Sequence, residues 1–278
     1  GESAHQTRMS CRAEAASELW SQRAKCRNLP SLVERGACMA DALNEYQTAL
    51  ESCADQYEAR LDVCARLGPA AYSPAILPAN FVTVIDNPFH PLIPGTTRVY
   101  EQLTAEGLEH IEVHVTDRTK TILGVECVEV EDIVMLDDEL IESTLDWFAQ
   151  DVAGNVWYFG ELSMDFEDGR VVTLDGTWEA GQDGASPGLI MPAQHGVGML
   201  YRQEFLVGEA EDVAGFLSTS ASAVVAYGSF VNCLQTEDFT ALSPGSIEHK
   251  YYAAGIGKVL EIKPDSGARL ELIDVIYE

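Results

Sequence analysis

A chain of 278 residues, 46% hydrophobic and 8% aromatic, can bury one large core or a core with an appended module. Its 17 Lys+Arg stand against 45 Asp+Glu, a formal charge of -28, and that field repels phosphate backbones and anionic membrane surfaces. Nucleic acid is therefore not an expected partner, and no stretch approaches the ~20 apolar residues that cross a bilayer as a helix.

From Ser10 to Leu67 the pattern is helical. Leu43, Tyr46, Leu50, Cys53, Tyr57, Leu61 and Cys64 recur at spacings of three and four, while the preceding helix is poorer, with Ala15, Leu19 and Trp20. Asn28 to Ser31 supplies turn and capping chemistry, Pro30 and Gly36 are placed between the helices, and Gly68-Pro69 stops the second one. Cys11 and Cys26 are 15 residues apart, as are Cys38 and Cys53, so each pair lies close to one face of its helix. Both Cys11/Cys53 and Cys26/Cys38 are centred on residue 32. Folding the chain back there predicts two disulfide rungs across a helical hairpin, residues 1 to 68.

Such rungs persist only in an oxidising compartment, which makes this an exported protein of the periplasm, cell surface or exterior. Thiolate binding of Cu(I) or Zn(II) is the alternative, but such sites place cysteines two to four residues apart, and no two cysteines of the helices lie so close. Cys64, Cys127 and Cys233 form an odd set. Cys127 and Cys233 occupy strand-like runs and are candidates for a third bridge that leaves Cys64 free.

Residues 69 to 97 hold six prolines and read as a linker. Residues 98 to 278 carry short alternating runs broken by turns, which predicts an antiparallel meander. The expected fold is α+β, the disulfide-stapled hairpin followed by an antiparallel β-sandwich or half-barrel.

Three runs allow a register to be written. With Ala153-Gly154 as a two-residue loop and Glu167-Asp168-Gly169 as a three-residue loop, one face carries Ser143/Met164/Val172, Leu145/Leu162/Leu174, Trp147/Gly160/Gly176 and Ala149/Tyr158/Trp178, an expected core. The opposite face aligns Asp146, Glu161 and Asp175 in one row, with Phe148/Phe159/Thr177 and Gln150/Trp157/Glu179 beside it. Like charges opposite one another on neighbouring strands are unfavourable, so the row calls for full hydration or a cation, Ca(II) before others because every donor is oxygen. A solvated face rarely spends aromatics, and Phe148, Phe159 and Trp157, with Glu179, are the candidate ligand-binding residues.

Other constellations are weaker. His110, Glu112 and His114 share one side of a strand, but imidazoles ~13 Å apart at i and i+4 cannot share an ion. His90, His195 and His249 are isolated in sequence and form a second candidate set, for Cu or Zn. Gly184-Ala185-Ser186-Pro187-Gly188 has the spacing of a nucleophile elbow without a helix after it, so a hydrolase would need His249 or His195 to meet Glu204 or Ser186.

The β part also carries distinctive strings: Asn87-Pro88-Phe89-His90-Pro91-Leu92 with Pro94-Gly95, Asp146-Trp147-Phe148-Ala149-Gln150-Asp151, Asn155-Val156-Trp157-Tyr158-Phe159-Gly160-Glu161, Tyr201-Arg202-Gln203-Glu204, and Glu248-His249-Lys250-Tyr251-Tyr252 with Gly255-Ile256-Gly257. Together they resemble an uncharacterised group of secreted or lipoprotein-like bacterial proteins. That resemblance implies export and a β fold and no chemistry; the cysteine-bearing hairpin lies outside it. The expected function is a non-catalytic binding protein of the envelope or exterior that takes a cation or small ligand on its β domain. The alternatives are an interaction protein that docks an envelope protein partner through the hairpin and, third, a hydrolase.

Overall fold

The computed structural model describes residues 1–68 and 70–277. Pro69 lies outside them, so of the Gly68-Pro69 helix stop only the glycine is described. The chain divides into two compact units, Gly1–Ala70 with Ala241–Pro244, and Ala71–Thr240 with Gly245–Glu278.

In the first unit, α1 spans Glu2–Arg27 and α2 spans Leu32–Leu67. Ser31 and Glu34 form a capping box: the Glu34 N–H donates to Ser31 Oγ at 3.1 Å and the Ser31 N–H to Glu34 Oε2 at 3.2 Å. This cap starts α2 at Leu32 and places Gly36 inside the helix, not in the turn. Gly68 ends it at φ 96, its N–H donating to Cys64 O. Cys11 bonds Cys53 and Cys26 bonds Cys38, with Cα atoms 5.8 and 5.5 Å apart, as the mirror spacing predicts. These bonds mark an exported protein. No helix of the described residues is long and apolar enough to cross a membrane.

The second unit is built from antiparallel strands: β1 (Phe81–Val82), β2 (Thr96–Leu103), β3 (Leu108–Ile122), β4 (Val125–Leu136), β5 (Glu139–Asp151) and β6 (Val156–Glu167) come first. Short pieces follow, β7 (Arg170–Thr173), β8 (Trp178–Glu179), β9 (Ser186–Met191), β10 (Leu200–Arg202) and β11 (Glu204–Phe205). The long pair β12 (Asp212–Val225) and β13 (Gly228–Thr240) leads into β14 (Ile247–Ala253), β15 (Gly257–Ile262) and β16 (Arg269–Tyr277). The main path runs β10-β12-β13-β14-β15-β16-β2-β3-β4-β5-β6-β9-β11.

Its two ends are β10 and β11, and only Gln203 separates them in sequence, so the edges of the sheet must meet. The sheet is therefore a nearly closed barrel, and the half-barrel reading prevails over the sandwich. Gly188 on β9 marks the seam: a Cβ there would stand 2.3 Å from the Gln203 carbonyl group, a main-chain approach that only glycine allows.

The segment before β2 belongs to this unit. Ile85 and Leu92 form an isolated bridge and are 1% and 4% exposed. Gln150 ties the segment down, accepting from the Asp86 and Asn87 N–H groups and donating to Asp86 Oδ1.

Cys127 and Cys233 do not pair. Both are buried thiols, each held in a separate apolar cluster, one with Ile122 and Val125 and the other with Ala223 and Leu272. Burial pushes the Cys127 thiol up to about 12.

The register of β5 and β6 follows expectation from Glu142/Asp165 to Trp147/Gly160 and then slips, with Phe148 opposite Tyr158. The loop after β5 is longer than expected, because the Asp151 N–H donates to Asn155 O, and the extra residue at Phe159 compensates for it. The next turn differs as well. Asp168 and Gly169, at φ 49 and 70, form a two-residue Asp-Gly turn with Glu167 opposite Arg170, and a further shift follows between Asp165 and Phe166.

These slips and the closure of the sheet leave the expected core right only in part: Trp147, Ala149, Tyr158 and Trp178 are buried as expected. Thr144, Phe148 and Gln150 are buried, whereas Leu145, Leu162 and Met164 of the expected core are only partly covered, and Val172 and Leu174 are exposed. Trp147 is covered from outside by Lys120, whose Nζ lies 3.3 Å from the ring centroid, and donates to Glu129 Oε2 at 3.0 Å. The face carrying Asp146 and Phe148 is the interior.

Candidate functional site

Alternate residues of successive strands point to one side, which brings Arg98 and Tyr100 of β2, Val130 and Asp132 of β4, Asp146 and Phe148 of β5, and Lys250 and Tyr252 of β14 to the inner face. With Lys258 of β15, Ile190 of β9 and the His90-Pro91-Leu92 segment they line a cavity of about 160 Å³. One wall is apolar, formed by Leu92, Val113, Val130, Phe148 and Ile190.

The polar wall is unevenly satisfied. Lys250 Nζ lies 3.2 Å from Asp238 Oδ2 and 3.2 Å from Glu248 Oε2, and Lys258 Nζ lies 3.1 Å from Glu261 Oε2. Arg98, 6% exposed, donates through Nε to Ile256 O at 2.6 Å and through Nη2 to Pro91 O. Asp132 Oδ1 and His90 Nε2 are buried without a hydrogen-bond partner among the described residues.

Burial works against ionising Glu261, but Lys258 and Lys250 overcome it and hold the carboxyl at about 2. Burial pushes Asp132 the other way, to about 7, despite the pull of Lys258. Burial, then the positive charges of Arg98 and Lys258, drives His90 down to about 3, so its imidazole is neutral at neutral pH. Asp146 is raised well above the carboxylate range by burial and by Glu161, although it accepts the Tyr158 O–H at 2.5 Å. Glu161 rises to about 7 through burial, and Glu204 rises through burial beside Asp212 and Glu161. The interior thus presents paired ammonium groups, a guanidinium bonded to main-chain carbonyls, and carboxyls that favour the protonated form.

The carboxylate row assembles only in part. Asp146 and Glu161 face each other across β5 and β6, but Trp178 takes the place expected for Asp175, which lies exposed after β7. The tighter Asp168-Gly169 turn and the shift at Asp165 displace the pairing by two residues, and the break between β7 and β8 adds a third.

Of the expected ligand-binding residues, Phe148 lines the cavity and stacks on Tyr158 with centroids 4.8 Å apart. Trp157 instead donates to Asp151 Oδ2, Phe159 is fully buried against Phe81, and Glu179 lies 2.7 Å from Lys120.

The histidines do not converge. His90 lines the cavity, His195 packs edge-on to Phe89 and Phe216, and His249 lies 3.9 Å from Glu237. Among the described residues no group of three His, Cys, Asp or Glu is placed to hold a metal ion. Ser186 opens β9 opposite Phe205, with a turn before it and strand after it where a nucleophile elbow needs a strand before and a helix after.

Sequence reasoning missed Arg98, Asp132, Lys250 and Lys258. A polar residue at an alternate position within an otherwise apolar strand, such as Asp132 after Val128 and Val130, was the signal available.

The chain matches no known protein family and no curated protein. Among solved structures it is similar to a protein from Parabacteroides distasonis ATCC 8503 provisionally described as a lipoprotein, at 10% identity and a TM-score of 0.36, over 68% of this chain and 98% of that one.

Proposed function

We propose that the β unit is a non-catalytic binding module of a periplasmic, cell-surface or extracellular protein, and that its interior cavity takes a small organic ligand. The observation that carries this reading is a built cavity of about 160 Å³ into which two buried polar groups, Asp132 Oδ1 and His90 Nε2, bring no partner of their own. Buried polar atoms are nearly always hydrogen-bonded, so orphaned ones at a cavity wall point to a missing occupant. No Ser, Thr or Cys is among the described lining residues, and Lys250 and Lys258 are held protonated beside their carboxylate partners, so no aliphatic hydroxyl, thiol or free amine nucleophile favours covalent turnover over binding.

The test is a melting-curve and native mass-spectrometry screen of the full chain with small organic molecules, beside Val113→Phe, which narrows the cavity. A ligand that binds only the folded state raises the melting temperature. The expected result is a shift with at least one compound that Val113→Phe abolishes; no shift with any compound, or one that Val113→Phe leaves intact, overturns the reading.

A second reading places a divalent cation, calcium first, between Asp146 and Glu161, because these two carboxyls face each other. Plasma mass spectrometry of the purified protein decides it: stoichiometric metal whose removal lowers the melting temperature supports the cation, and its absence retires it.

A further inference from the structure

The three cations of the cavity are not equivalent. Lys250 and Lys258 have carboxylate partners within 3.2 Å, whereas Arg98 forms no ion pair with any of the described residues. The carbonyls of Pro91 and Ile256 fix the plane of its guanidinium without supplying charge. A buried charge left uncompensated is strongly unfavourable, and it persists where a counter-charge arrives from outside the chain.

We infer that the ligand is a small organic monoanion, a carboxylate on an apolar body, whose charge compensates Arg98. This rests on the reading of the cavity as a ligand site. Three further features fit it. Arg presents a planar fork that suits a carboxylate. Asp132, held at about 7 by burial, retains its proton below neutral pH and can donate it to an anion, although Glu142 and Glu261 as well as Lys258 contribute to the field there. The wall of Leu92, Val113, Val130, Phe148 and Ile190 receives the apolar body, and about 160 Å³ is the size that holds one benzene ring. A cationic ligand would meet Arg98 and Lys258 instead, and a dianion would need a second unpaired cation, which the paired lysines do not offer.

The experiment is calorimetric titration of the full chain with benzoate, benzamide and benzylamine at about pH 6, below the Asp132 value of about 7. Benzoate is expected to bind at least about tenfold tighter than the other two, with Arg98→Met erasing that preference and Arg98→Lys keeping part of it. Benzamide or benzylamine binding as well as benzoate overturns the monoanion inference while the cavity reading stands. Failure of all three overturns it too, and the cavity reading falls with it only if the wider screen is also empty. Should Arg98→Met not fold, the wild-type comparison and Arg98→Lys decide the matter.

Discussion

The hairpin and the β unit hold their shapes by different means. α1 and α2 meet along a seam whose first helix offers few large apolar side chains and leaves Trp20 63% exposed, and two disulfides tie it. The β unit buries Phe159, Phe216, Ile85, Met191 and Leu272 almost completely and leaves Cys127 and Cys233 as thiols in their clusters. A two-helix hairpin has too little interior to stabilise itself by burial, whereas a nearly closed sheet surrounds its own core. Cross-links in the first region therefore replace what packing supplies in the second.

That contrast can be broken at its strongest point. Phe159→Ala empties a fully buried site in the β unit and should cost about 3–5 kcal/mol in denaturant unfolding followed by tryptophan fluorescence. A loss below about 1 kcal/mol would mean that packing is not what holds this region. In the hairpin, replacing Cys11 and Cys53 by serine should cost about 4 kcal/mol, and replacing Cys26 and Cys38 about 3, because the first bridge spans 42 residues and the second 12. Circular dichroism at helical wavelengths reads the effect, and the order of the two losses tests the chain-entropy account.

A smaller effect is expected at the seam. Gly188→Ala drives a Cβ into the Gln203 carbonyl and should destabilise by about 1–3 kcal/mol, visible as faster amide exchange in β9 and β11. Full stability in this variant would show that the edges are not pressed together.

The gentlest test is by pH. Folding raises the Asp132 carboxyl from 3.8 to about 7, so between those values the folded chain keeps a proton that the unfolded chain has released. Its contribution is most favourable at low pH and is lost as pH rises toward 7. Asp132→Asn should therefore gain melting temperature over wild type by a few degrees from about pH 5 to about pH 8. A residual slope belongs to Glu161, Asp146 and Glu204, whose carboxyls shift in the same direction. Parallel pH profiles for the two proteins would place Asp132 in water.

Local rules reached far in this molecule, and their failures are specific. The Asn28 to Ser31 turn, the Gly68 stop and the cysteine spacing are local signals, and the hairpin was legible from them, although the Ser31 and Glu34 cap that starts α2 before Gly36 was not. In the sheet, the pairing of Asp146 with Glu161 was also legible, because a longer loop and a bulge cancelled. The expected pairing of Asp175 with Glu161 does not form, because successive shifts added up to three residues instead of cancelling.

The sequence by itself determined the disulfide pairing of the hairpin, the exported setting that follows, and an antiparallel β unit, since each rests on spacing along the chain. Only the tertiary structure decided which face of the sheet lies inside and that Arg98, Asp132 and His90 share one cavity with Asp146 and Phe148. The physical reason is closure. Inside and outside have no meaning for a strand until the two ends of the sheet meet, and here they meet across a single residue, Gln203.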